Sequence, residues 1–500
     1  MASWLPFVLF GLAVWHFWDA GIDDAGISWR YARHLAEGHG LRWNLTGPPV
    51  EGYSNFLWVL MLAGCRTLGL DIQLASKILG VIFSVFSLAM LRVLCRRLWG
   101  DLLFWWMPVL LTALMPEWTM WAMSGLEISL FGCLLVGTIL ALSSQRLSTT
   151  WLALCLSALV LTRPEGVGIA LVVIVARIAV PGERSWRERL RELVIPAAVV
   201  VVVAAAMVVF RLLYFGYPLP NTVYAKFTAS LPSWPQVLRW LWFAEPFAIA
   251  WAVAIWRERN PARRGLLVLI MAVLVFHTAM ILPVATVMNF LHRYHAALIP
   301  LLLLPVPALL GFLRRWGAPL AMLTTILLVV WSLQGLMPVE QRVALERRCQ
   351  GYQRCIADDL AALPGHPTIA LQDAGRIPYW CDLPAIDTWG LCDLDIARNG
   401  FTPEELMRRA PEVYVTSADS IHLGIVEPHQ GVDKWVILTP GFLDQYQLWR
   451  HCLTASVRPG EPYSYAILLD IQWAKSHGIA FPSPRIQLIP LDLELPAQLP

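Results

Sequence analysis

The chain has 500 residues, 57% of them hydrophobic and 15% charged, with a formal net charge of +3. An ordinary soluble domain carries about 25% charged residues, and water would meet this much apolar surface as one adhesive patch. The composition therefore excludes a typical soluble fold, and the small net charge gives no sign of a nucleic-acid partner.

A bilayer resolves the difficulty, since lipid tails solvate the apolar faces. The 25 Trp suit the same setting, because an indole ring placed at the membrane–water interface has one wet edge and one greasy one. The first apolar run, Trp4 to Trp18, has no cleavage site behind it and reads as a retained span. A span needs roughly 20 apolar residues, fewer in a tilted bundle, and about eleven segments qualify: 4–18, 72–94, 102–116, 126–143, 149–162, 166–181, 193–213, 237–256, 265–285, 296–313 and 317–336.

Arginine orients these spans. Arg96 and Arg97, then Arg146, then Arg184, Arg187, Arg189 and Arg191, then Arg257, Arg259, Arg263 and Arg264, then Arg314 and Arg315 fall in alternate loops. Taking those loops as cytoplasmic puts the N-terminus inside, and the segment 19–71 and the tail outside. Residues 55–68 are apolar enough for a further span, but counting them would break the alternation, so a short helix in the outer leaflet is expected there.

Within 19–71, Asp23 and Asp24 follow the first span directly. Acidic groups at that depth are costly unless they face a polar cavity. The stretch 25–37 sets Ile27, Tyr31 and Leu35 on one face, so an amphipathic helix is expected along the interface, with the acidic pair at its N-terminus. Aspartate is a good N-cap, but a cap needs one carboxylate. The other is left for chemistry or for a divalent cation.

The chemistry that fits is glycosyl transfer. An acceptor hydroxyl loses a proton as it attacks the anomeric carbon, and a placed carboxylate takes it. A lipid phosphate leaves, and a nearby cation stabilises its charge. Arg30, Arg33, Arg42, Arg66, Arg163, Lys226 and Arg293, with His292 and His295, are the basic groups on the outer side. Three outer motifs hold several of them: Arg163-Pro164-Glu165-Gly166, the run Tyr214 to Lys226, and His292-Arg293-Tyr294-His295.

From about 337 onward the material changes. Pro and Gly punctuate β-type runs at Thr368–Leu371, Val413–Thr416 and Trp435–Leu438, with a helical stretch at Pro403–Arg409. An α/β domain of about 160 residues is expected, large enough for its own core. The division is thus a transmembrane module over 1–336 and an extracytoplasmic domain over 337–500. The tail cysteines allow local disulfides, Cys349–Cys355 and Cys381–Cys392, or reduced thiols.

The pattern DDAxIxxRYAxxLxxGxGLxxN, followed by VEGYSNFLW, resembles the GT-C superfamily of polyprenyl-phosphate-sugar glycosyltransferases, most nearly the mycobacterial terminal β-(1→2)-arabinofuranosyltransferase family. Gly125-Leu126-Glu127, the Arg163 motif, Leu219-Pro220-Asn221-Thr222 through Lys226, and the tail stretch from Asp373 to Arg398 are similar to later motifs of that group. Gly26 and Trp29 depart from it. The resemblance implies a multi-pass protein of the bacterial inner membrane that moves a sugar, arabinofuranose by this likeness, from a polyprenyl-phosphate donor to an extracytoplasmic glycan, lipid or protein.

On that reading Asp24 or Asp23 is the base. Tyr224, Lys226 and Arg293 hold the donor phosphate, and Glu51, Tyr53 and Asn55 line the sugar side. Arg30, Tyr31, Arg163, Glu165, Asn221 and His292 complete the donor and acceptor contacts. The rival readings are a lipid-linked-sugar flippase, a mannosyl-type GT-C transferase, and a scaffold without turnover.

Overall fold

The computed structural model describes residues 4–144, 148–180, 185–228, 234–282, 290–422, 425–428, 436, 439–458 and 461–481. They form two compact units. One comprises Met1–Ile22, Ser54–Pro218 and Ser230–Val343; the other comprises Asp23–Tyr53, Leu219–Ala229 and Ala344–Pro500.

The first unit is helical. Six helices among the described residues are long and apolar enough to cross a membrane: Ile72–Trp99, Trp186–Tyr214, Val237–Arg257, Pro261–Ile281, Ala296–Trp316 and Ala318–Ala361. The expectation of about eleven spans is not met by length. Leu5–His16, Ile128–Leu142, Thr149–Thr162 and Glu165–Ala179 are apolar helices of 12 to 15 residues. At 1.5 Å per residue they fall short of a hydrocarbon core of about 30 Å. The segment 102–116 is helical over Met107–Leu114 and stops at an extended Met115, and a separate helix, Pro116–Ala122, begins there. Pro116 cannot donate the next helical hydrogen bond and forces its predecessor out of the helical region. Residues 55–68 do form a short helix, Phe56–Thr67.

Small residues let these helices approach. A Cβ on Gly80 would strike the carbonyl of Ala122, and one on Gly166 the backbone of Leu159. Ser84 donates to Ser129 at 3.0 Å between two apolar helices. Such contacts replace the hydrophobic drive that lipid removes. The outer faces stay greasy: Val201 and Val202 on Trp186–Tyr214 are 66% and 65% exposed.

The second unit holds a mixed sheet. Its strands are β1 (Ile369–Leu371), β2 (Ala385–Asp387), β3 (Val413–His422), β4 (Ile425–Pro428), β5 (Tyr446–Arg458) and β6 (Glu461–Asp470). The order is β2-β1-β3-β6-β5, with β4 beside β3. β1 runs parallel to β2 and β3, and β6 lies antiparallel to β3 and β5. Short helices join the parallel strands: Arg376–Cys381 after β1, then Leu394–Asn399 and Pro403–Arg409 after β2. Tyr414, Phe442, Tyr446, Leu448 and Leu468 build the core with Ile396 and Leu406. The β-type run expected at 435–438 lies outside the described residues except for Val436, which is buried.

One expectation needs correction. The Ala25–Ala36 helix is not laid along an interface: Ala25 to Ala32 and His34 are all buried. Its Arg30 donates to the carbonyls of Trp43 (2.7 Å), Pro378 (2.6 Å) and Leu383 (2.8 Å), which turns the polar face inward too. Of the two readings of the tail cysteines, reduced thiols are the one present. Cys349, Cys355, Cys381 and Cys392 are free thiols.

Candidate functional site

In the α/β unit the parallel strands carry their carboxyl ends to one edge, where ligands gather in open α/β sheets because the strand order reverses there. β1 leads into Asp373, Gly375 and Arg376, and β2 ends on Asp387. Asp23 is placed at this edge. One of its carboxylate oxygens accepts the Gly375 N–H at 3.2 Å and the other the Arg376 N–H at 2.9 Å. Asp23 thus caps the Arg376–Cys381 helix from a distant part of the chain. Asp24 occupies the N-cap position of the Ala25–Ala36 helix, yet its side chain makes no cap bond there. The acidic pair is not the simple helix cap that its position suggests.

The approach is close. A Cβ on Gly26 would meet the Gly375–Arg376 backbone, and one on Gly375 would meet Asp23 itself. A side chain larger than hydrogen does not fit at Gly26. Trp29 packs edge-on against Tyr379 with centroids 5.6 Å apart. Around the turn, Arg376 is buried and donates to Gln353 at 3.2 Å and Glu346 at 3.4 Å. Asp373 accepts from Gln353 at 3.1 Å and from the Tyr465 hydroxyl. Burial raises the Asp23 pKa above the ordinary carboxylate value, and the charge of Asp373 raises it further, while Arg376 and its backbone N–H oppose the shift.

A second knot ties the remaining motif residues of this unit together. The Tyr31 hydroxyl donates to the Val50 carbonyl at 2.5 Å and accepts the Gly52 N–H at 2.9 Å. Tyr53 packs edge-on against Tyr31 at 4.6 Å. The Glu51 carbonyl accepts the Asn221 N–H at 3.0 Å. The Asn221 amide then points at three carbonyls, those of Gly390 (2.8 Å), Leu391 (3.0 Å) and Asp393 (3.1 Å). Asp387 fixes the same loop by accepting the N–H groups of Trp389 at 2.9 Å and Cys392 at 2.8 Å, and burial pushes its carboxyl up to about 7. Tyr224 lies beneath the Arg398 guanidinium at 5.5 Å, on the Asn221–Thr228 helix that also carries Lys226.

The helical unit brings the other nominated residues into a separate cluster. Arg163 donates to Glu127 at 2.6 Å and to Glu165 at 2.5 Å. Asn55 donates to the other oxygen of Glu127 at 2.8 Å. His277 stands 3.9 Å from Glu165, with its ring 5.7 Å from that of His295. Both imidazoles are fully buried, and His295 stacks on Trp240 at 4.6 Å. Arg293 lies over Trp121 and Tyr294 at 5.9 and 5.7 Å. Leu291 and His292 both take left-handed backbone angles, φ 47° and 57°, which side chains adopt only when the surroundings enforce it.

The structure therefore sets Asp23 on the Gly375–Arg376 turn, gathers Tyr31, Glu51, Tyr53 and Asn221 in the second knot, and joins Asn55 to Arg163 through Glu127 and Arg163 to Glu165. Arg30 and Asn221 face backbone carbonyls of their own unit. Sequence reasoning missed Asp373, Arg376 and Asp387 as neighbours of the first loop, since no local spacing links them. It also missed His277, whose signal was available: a polar group alone in an apolar helix. Among the described residues, no three His, Cys, Asp or Glu side chains are arranged to hold a metal ion.

Residues 345–468 match a family described as Domain of unknown function (DUF8728). No curated protein matches the chain. Among solved structures, the chain is similar to ArnT from Cupriavidus metallidurans bound to undecaprenyl phosphate, with TM-score 0.55 and 13% identity over 93% of this chain and 98% of that one. The apo state of the same ArnT gives TM-score 0.53 and 13% identity over the same shares. At that identity the likeness establishes the fold.

Proposed function

We propose that the chain is an integral-membrane glycosyltransferase that moves a sugar from a polyprenyl-phosphate donor to an extracytoplasmic acceptor. The observation that carries this reading is the fold, shared over nearly the whole chain with a protein solved with undecaprenyl phosphate bound. The first-loop residues supply the chemistry. Asp24 takes the proton of the acceptor hydroxyl as its oxygen bonds to the anomeric carbon and the bond from that carbon to the phosphate oxygen breaks. Asp23 is a positioning residue, because both its oxygens hold the turn at Gly375 and Arg376. Lys226 and Tyr224 hold the departing phosphate in the α/β unit, and the helical unit offers Arg293 for the charge of a phosphate-bearing lipid. One base acting once gives inversion at the anomeric carbon.

Arabinofuranose is the sugar we assign first, on the first-loop motif, with mannose as the alternative. The acceptor side is external, with the N-terminus in the cytoplasm of a bacterial cell, on the alternation of the arginines. The test is incubation of the purified protein with synthetic polyprenyl-phosphate arabinofuranose and, separately, the mannose equivalent. Free polyprenyl phosphate and a glycosylated acceptor, identified by mass spectrometry, are expected from one of the two. A flippase would move the intact donor across vesicles and release nothing. That result would overturn the assignment.

A further inference from the structure

The ends of three helices in the helical unit gather arginines that the transfer reaction does not use. Arg257 closes the Val237–Arg257 helix, Arg259 follows it, and Arg263 and Arg264 open Pro261–Ile281. Arg314 and Arg315 close the Ala296–Trp316 helix. The three ends meet: the Arg257 guanidinium stacks over Phe312 at 5.2 Å, and Arg259 and Arg315 are its charged neighbours. Arg259, Arg263, Arg264, Arg314 and Arg315 are exposed.

Little acid answers this charge. No Asp or Glu occurs between residues 259 and 339. Glu258 turns back to accept the Asn260 N–H at 2.8 Å, and Asp101 stands next to the Leu102 that faces Gly311. The arginines at the start of Trp186–Tyr214 contrast with this, since Arg187 and Arg191 alternate with Glu188 and Glu192. Two large indoles frame the unanswered charges. Trp256 and Trp316 are 72% and 75% exposed, and both lie against Phe312 at 6.4 Å. Exposed indole beside exposed guanidinium is the chemistry of a membrane interface carrying phosphates: the rings enter the headgroup layer while each guanidinium takes a phosphate in bidentate fashion.

We propose that this patch, built by Arg257, Arg259, Arg263, Arg264, Arg314 and Arg315, is a binding site for the headgroup of an anionic phospholipid. It rests on the membrane-spanning helices alone and not on the transfer reaction. Clustered cations near a charged leaflet each strengthen the attraction, and the patch selects anionic over zwitterionic lipid by charge. In the full-length protein, phosphatidylglycerol added to a phosphatidylcholine nanodisc is expected to raise the melting temperature and to remain bound in native mass spectrometry.

The variants R263Q/R264Q and R314Q/R315Q each lower that retention at least about tenfold, whereas R187Q/R191Q leaves it unchanged. The charge-keeping R263K/R264K, which preserves insertion but loses the bidentate fork, retains more lipid than R263Q/R264Q and less than the parent. Equal retention in all three glutamine pairs, or equal retention of phosphatidylcholine, overturns the proposal. Displacement of the lipid by RNA or inorganic phosphate also overturns it, by assigning the patch to a soluble polyanion.

Discussion

The two units use opposite solutions to the same problem of hiding apolar surface. In the α/β unit the large apolar side chains are inside, with Tyr414 and Leu468 fully buried, and the acids and Arg376 at the sheet edge are satisfied by neighbours that fold over them. In the helical unit the polar groups are inside: Glu127, Arg163 and Glu165 pair with one another while valines and tryptophans face outward. A water-solvated fold cannot be inverted in this way, but a lipid-solvated one can, because an unpaired charge in hydrocarbon is far costlier than an exposed valine. Chemistry is expected where the first kind of solvation meets functional carboxylates, and lipid handling where the second prevails.

The largest effect that tests this division is catalytic. Replacing Asp24 with Asn is expected to lower kcat by about 10²–10⁴-fold, with the melting temperature unchanged, as read by release of polyprenyl phosphate. Full activity in that variant would transfer the base role to Asp23 or dismiss it. Next comes the buried pair of the helical unit. Arg163→Met leaves Glu127 and Glu165 without their shared cation and is expected to cost about 3–5 kcal/mol, read as a fall in the thermal midpoint in detergent. A midpoint within a degree of the parent would mean that the carboxylates find another counter-charge. Below that is Leu468→Ala, at about 2–5 kcal/mol. Faster hydrogen exchange across β3, β5 and β6, with Pro261–Ile281 still protected, is the expected result. Loosening of that helix to the same degree would deny the units their separate cores.

What could be read from sequence was what short-range physics dictates. The Pro403–Arg409 helix was legible because Thr402 caps the Glu405 N–H, Pro403 starts the helix, acids open it and arginines close it. The acidic pair was legible as unusual, and its setting was not. The partners of Asp23 lie more than 350 residues away, and only the folded chain shows that Gly26 and Gly375 cross so closely. The same holds for Arg30, which reads as a ligand-binding cation yet ends on three carbonyls from Trp43, Pro378 and Leu383. The spans were read from hydropathy, which does not see helix length: the segment 102–116 holds the short helix Met107–Leu114, which ends before Pro116.

The last expected effect reads the proton affinity of Asp23. A carboxyl whose pKa is higher in the folded chain than in the unfolded one stabilises the fold below its ordinary value, and that contribution is lost as pH rises through the raised value. Burial and Asp373 put Asp23 in this position, so the α/β unit is expected to lose stability as pH climbs from the ordinary carboxylate range through the raised one. Asp23→Asn removes the titration and flattens the slope, at the cost of one of the two acceptors that hold Gly375 and Arg376. Urea midpoints followed by tryptophan emission at a series of pH values report both terms, the slope through the proton and the offset through the lost acceptor. A parent midpoint that rises with pH in that window, or an Asn variant with the parent's slope, would show that the two backbone N–H donors outweigh burial and that Asp23 stands ionised at the turn.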